Sequence, residues 1–129
     1  MDGPLFLTLD EVLQIHASRI EKYGGTDGVR DMGLLESALA QPQAGFGDEY
    51  YHSDVPHMAA AYLYHIVCNH PFVDGNKRTG LAAALVFLEM NCIGLATDEA
   101  AEVELTLKVA EGNASKDEVA EYFRNHMRD

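Results

Sequence analysis

Two stretches of this chain, His57 to Asn69 and Lys77 to Met90, are rich in Ala, Leu, Ile, Val, Tyr and Phe and have no clean polar face. A helix that is apolar nearly all round has to be enclosed by other elements. The segment between them, His70 to Asn76, is the opposite in character: it holds a proline, a glycine and several polar side chains. Two central helices joined by a polar loop constrain the fold more than any other feature. The rest of the chain must supply their cover.

That cover reads as helical. Thr8 and Glu11 have capping-box spacing, and Val12, Ile15, Ile20 and Tyr23 follow a helical stripe that Gly24-Gly25 ends. Asp31 suits the cap of a short second helix carrying Leu34, Leu35, Ala38 and Leu39, which Pro42 stops. Asp54-Val55-Pro56 opens the first central helix, and Asn91 and Gly94 close the second. Asp98 caps a fifth helix from Glu99 to Glu111. Ser115 and Glu118 repeat the capping box before a last helix through Arg128. Gly45 to Ser53, with Phe46, Tyr50 and Tyr51, is either a loop or a short hairpin; strand signals are otherwise nearly absent. The expected class is all-α, a compact bundle of about six helices.

A length of 129 residues predicts one domain over 1–129. Such a domain buries roughly two-thirds of the surface of the unfolded chain, so it needs no metal or disulfide to fold. Cys68 and Cys92 lie in apolar stretches outside any CxxC pair and are expected to be free, buried thiols. The first residues lack the positive start and long apolar run of a secretion signal. The run Gly80 to Leu88 is too short to cross a bilayer. The expected location is the cytoplasm, without membrane contact. A net charge of −12 argues against direct nucleic-acid binding, which depends on neutralising phosphates. In so acidic a chain the pair Lys77-Arg78 is either a local anion site or a solvated pair at a helix start.

The loop residues each admit a chemical reading beside a structural one. Phe72, a large apolar side chain in a tight polar loop, is an anchor into the core that fixes the loop's shape. The free N–H groups of the first turn after Gly75 suit an anion, and Gly75 removes a side chain where a ligand would approach. Asn76 either caps the helix or bonds a phosphate. Arg78 offers a planar fork of donors to phosphate oxygens, with Lys77 as a second charge. Asp74 is a Mg²⁺ ligand, a cap or an ion-pair partner. His70, with an ordinary pKa of about 6.5, is a general base or a structural histidine.

The string His70-Pro71-Phe72-Val73-Asp74-Gly75-Asn76-Lys77-Arg78 resembles the signature of the Fic (filamentation induced by cAMP) superfamily. Tyr23-Gly24-Gly25 and Arg30-Asp31-Met32-Gly33-Leu34-Leu35-Glu36-Ser37-Ala38-Leu39 look like its Doc (death on curing) branch, the toxins of type II toxin–antitoxin systems. The resemblance implies His70 as the base for a target hydroxyl, and Asp74 as the Mg²⁺ ligand. It implies Gly75, Asn76, Lys77 and Arg78 as phosphate-binding residues of a nucleotide site, with Phe72 as loop anchor. Adenylylating members carry glycine at position 77 and a second arginine shortly after. This chain has Lys77 and then Thr79-Gly80-Leu81-Ala82, the Doc pattern. That implies a kinase sending the γ-phosphate of ATP to a threonine, on elongation factor Tu, so that translation stops. A lysine fills space that glycine leaves open and fixes a charge there, which changes the phosphate lying beside the base.

The superfamily's self-inhibitory pattern has Ser or Thr four residues before Glu-Gly. Here Leu107 precedes Glu111-Gly112, which implies a separate antitoxin, Phd-like, whose disordered tail folds on the toxin. Gly47 to Ser53 lies where the superfamily has a flap that docks the target. Alternatives are an adenylyltransferase, against which Lys77 counts, and a catalytically silent binding module of the same fold. The six histidines show neither HExxH nor an adjacent His-Asp pair, which argues against a metal hydrolase. His65 reads as a hydrogen-bonded core residue; His16, His52, His57 and His126 receive no role.

Overall fold

The computed structural model describes residues 3–128. Six helices run in the order α1 (Leu9–Tyr23), α2 (Met32–Ala40), α3 (Val55–Asn69), α4 (Asn76–Met90), α5 (Glu99–Ala110) and α6 (Lys116–Asn125). A two-stranded antiparallel hairpin, β1 (Gly45–Phe46) and β2 (Glu49–Tyr50), stands between α2 and α3. The chain has the all-α architecture expected of its pattern, with the hairpin alternative realised at 45–50. No helix among the described residues is long and apolar enough to cross a membrane.

Local signals set the helix starts. Thr8 with Glu11 and Ser115 with Glu118 both form reciprocal capping boxes. Asp31, Asp54 and Asp98 accept from the backbone N–H groups of Leu34, His57 and Ala101. Each such cap is worth about 1 kcal/mol. The last helix stops at Asn125, three residues short of the expected Arg128, because Met127 leaves to pair with Leu95 in an isolated bridge.

Packing then follows from the pattern. α3 sits at the centre, touching α2, α4, α5 and α6, and buries Met58 to Leu63, Ile66 and Val67. α4 crosses it closely at Gly80, where a Cβ would lie 2.9 Å from Val67 Cγ2 and 3.2 Å from the Leu63 carbonyl oxygen. Each large side chain buried here contributes about 1.5–3 kcal/mol. Neither cysteine is buried: Cys68, near the end of α3, and Cys92, in the turn after α4 with φ 65°, are both free and exposed. An apolar stretch that reaches its helix end or turn runs out of neighbours, so its last residues meet solvent.

Candidate active site

The loop from His70 to Gly75 joins the two central helices at one end of the bundle. It begins at an unusual residue. His70 is the C-cap of α3 and adopts the left-handed conformation, φ 49° and ψ 53°. Left-handed helical geometry is rare for a residue with a side chain, and a following proline disfavours helical geometry further. Arg30 holds it there: Nε donates to the His70 carbonyl at 2.7 Å and Nη2 to the Asn69 carbonyl at 3.0 Å. Asn69 in turn donates to the Leu34 carbonyl at 3.1 Å.

The next three residues are stitched to the segment before α2. Arg30 and Asp31 N–H groups donate to the Pro71 carbonyl at 2.7 and 3.0 Å, and Val73 N–H donates to the Gly28 carbonyl at 3.0 Å. Val29 and Phe72 form an antiparallel bridge. Phe72 is wholly buried, and the imidazole of His16 stacks on its ring, centroids 3.8 Å apart and planes 5° apart.

Asn76 does not cap α4, contrary to one sequence expectation. The cap position is Gly75, at φ 78° and without a side-chain cap bond. The Asn76 side chain turns back instead: Oδ1 accepts from Phe72 N–H at 2.9 Å and Nδ2 donates to the Phe72 carbonyl at 3.0 Å. Nδ2 also lies 3.2 Å from His70 Nδ1. An amide nitrogen only donates, so in this contact the neutral His70 ring carries its proton on Nε2.

Asp74 is exposed and bonded at both oxygens, Oδ1 to Gly75 N–H at 2.9 Å and Oδ2 to Thr26 N–H at 3.1 Å. These two bonds, helped by the charge of Arg78, hold its carboxyl below the usual range. Gly25 must be glycine for this approach: it has φ 119°, and a Cβ would stand 2.7 Å from Asp74 Oδ2. The Asp74 carbonyl oxygen accepts from His16 Nε2 at 2.8 Å. Arg78 lies over the Tyr23 ring, 4.6 Å from guanidinium carbon to centroid.

A cavity of about 710 Å³ opens between α1, α4 and α5. His70, Asp74, Gly75, Asn76, Lys77 and Arg78 line one part of it, and Leu81, Leu85 and Val103 give it an apolar wall. Three cations (Arg19, Lys77, Arg78) and three carboxylates (Asp74, Glu99, Glu102) line the cavity. At its loop end the free N–H groups of a first helical turn, Lys77 and Arg78 can bind a polyanion beside the His70 imidazole.

The Fic/DOC family model matches residues 6–88, which include α1 to α3, the whole loop and α4 as far as Leu88. This chain belongs to the Fic/Doc family. It is 34% identical over 115 residues to a protein of Escherichia phage P1 named "Protein kinase doc", covering 89% of this chain and 90% of the relative. Against "Toxin Doc" of Mycolicibacterium smegmatis it is 48% identical over 80 residues, 59% of this chain and 58% of the relative.

Within this Fic/Doc chain the fold brings together all the loop residues singled out in the sequence. It adds four that motif reading passed over: His16, Tyr23, Thr26 and Arg30. Tyr23 was visible as the end of a helical stripe and, like Arg30, as part of a family-like string, and His16 sat on the buried side of α1 at helical spacing from Val12. The remaining histidines stand apart from the loop. His65 is half-buried and bonds Lys116 at 3.1 Å, His57 faces Asp117 at 3.0 Å, and His126 bonds the Tyr122 carbonyl at 2.7 Å.

Proposed function

We propose that this chain is a Doc-type toxin kinase that moves the γ-phosphate of ATP to a threonine hydroxyl of a protein, elongation factor Tu, and so halts translation. One observation carries the reading: His70 and the cationic first turn of α4 line the same cavity. The name of the 34% identical relative, a protein kinase, supports the same reaction. Its place of action would be the cytoplasm, and a separate Phd-like antitoxin would neutralise it.

The chemistry divides among the loop residues. Phosphate oxygens meet the N–H groups of Asn76, Lys77 and Arg78, the Lys77 ammonium and the Arg78 fork. The Arg78 guanidinium lies over the Tyr23 ring. The acceptor oxygen attacks the γ-phosphorus, its proton passes to His70, and the bond from phosphorus to the β-bridging oxygen breaks, leaving ADP. A positioned base contributes about 10²–10⁴-fold. The contact from Asn76 leaves the proton of neutral His70 on Nε2, so the ring must give up that contact or change tautomer to act as base.

A Mg²⁺ ion fits the donor set. It is typically bound through one or two carboxylates together with substrate phosphates, and Asp74 is an exposed, ionised carboxylate on the cavity. Mg²⁺ held by Asp74 would neutralise phosphate charge. The deciding experiment incubates the protein and elongation factor Tu with ATP labelled at either the α or the γ phosphate. Transfer of γ label alone is expected. Transfer of α label alone would replace the kinase by the adenylyltransferase reading, and Lys77→Gly would then have no effect on the product.

A further inference from the structure

Arg30 and His16 are both outside the loop, yet each bonds a backbone carbonyl inside it, at opposite ends. We propose that they are positioning residues with separate duties: Arg30 sets the residue that takes the proton, and His16 sets the phosphate cradle. The proposal rests on the functional reading above.

Consider the first end. His70 is a non-glycine residue at positive φ directly before a proline, a combination with an extended alternative that is sterically easier. Relaxation to that alternative would move the imidazole from its place on the cavity that Lys77 and Arg78 also line. The Arg30 fork spans two successive carbonyls, those of Asn69 and His70, and so fixes the peptide that carries the side chain. Arg30 is exposed, and its removal leaves the core untouched.

At the other end the critical group is the peptide between Asp74 and Gly75. His16 is buried, with 2% exposure, and draws the Asp74 carbonyl oxygen inward. Rotation of that peptide would turn a carbonyl oxygen toward the anion site and pull the Gly75 N–H off Asp74 Oδ1, the oxygen it holds at 2.9 Å. The stack on Phe72 holds the imidazole, so the donor is aimed by core packing. His16 makes no direct contact with His70; its other ring nitrogen, Nδ1, lies 3.6 Å from Asp27 Oδ1.

The two duties predict opposite kinetic signatures. In Arg30→Ala, γ-label transfer at saturating ATP should fall about 10- to 100-fold, the size expected for lost bonds from a charged donor. The Kd of the β,γ-imido analogue of ATP with Mg²⁺ should stay within about 2-fold. Guanidinium ion at millimolar concentration should restore part of the rate. In His16→Phe, which keeps a ring on Phe72, the analogue's Kd should rise about 10-fold while the saturated rate stays within about 3-fold. His16→Gln, which keeps a donor, should recover binding. Rate and affinity moving together in either variant, or neither moving, overturns the proposal.

A failure of the kinase reading is distinguishable. If the wild-type chain transfers no γ label, nuclear magnetic resonance still decides. Arg30→Ala must shift the His70 imidazole signals and leave the Gly75 amide in place, and His16→Phe must do the reverse. Any other pattern overturns the division of duties.

Discussion

Two short segments leave the helical bundle, and they are held in opposite ways. The loop from His70 to Gly75 is tied down by Arg30, Asp31, Gly28, Thr26 and His16, and its central side chain, Phe72, is wholly buried. The hairpin at 45–50 has two residue pairs, and Phe46 is 83% exposed at its tip. Its main tie to the body is Tyr50 against Phe6, ring centroids 5.6 Å apart. Chemistry needs atoms held to within about 0.5 Å, whereas a surface meeting a partner gains from being adjustable. The loop has many fixed points and the hairpin few.

The comparison can be attacked first at the loop. His70→Ala should lower γ-label transfer to elongation factor Tu by about 10²–10⁴-fold with little change in melting temperature, since His70 is exposed. Undiminished transfer would remove His70 from the reaction. Phe72→Ala should cost about 3–5 kcal/mol in urea unfolding, the usual price of an emptied aromatic site. A loss below about 1 kcal/mol would mean that the loop is held by its backbone bonds alone.

Acid should separate the two segments. His52 follows the hairpin directly and is buried, and burial with the charge of Lys116 lowers its pKa to about 4; His65 is lowered to about 4 for the same reasons. The unfolded chain takes up these protons near pH 6.5, the folded one only near pH 4. Stability from both histidines is therefore complete above pH 6.5 and lost as pH falls toward 4. Hydrogen-exchange protection factors, corrected for the slower intrinsic exchange at pH 5, should fall around residues 45–57 before they fall at 70–78. His65→Gln should flatten the fall in melting temperature. An equal fall in both segments would erase the contrast.

The smallest effect is expected at the hairpin tip. Phe46→Ala should change stability by less than about 0.5 kcal/mol and leave binding of the ATP analogue unaltered. Only transfer to the protein target should decline. A loss of nucleotide binding would show that the hairpin belongs to the site rather than to its surroundings.

Much of this was legible because the signals were local. Capping residues marked five of the six helix starts. The apolar character of 57–69 and 77–90 marked the central pair, and the polar break between them marked the loop. For Asn76 the sequence left a cap and a phosphate ligand both open, while its two bonds to Phe72 depend on how the loop folds back. The cysteines were misread because an apolar stretch says nothing about where its helix ends meet solvent.

The sequence by itself determined the helical class, the central pair and the polar loop between them, since periodicity, caps and residue chemistry act over a few positions. Only the tertiary structure decided that His16, Thr26 and Arg30 hold that loop, because those contacts join residues forty to fifty-eight positions apart. It also decided that Tyr23 lies under Arg78 and that α5 closes the cavity. A hydrogen bond over such a separation exists only after α1 and the segment before α2 have packed onto α3 and α4, and no local pattern encodes it.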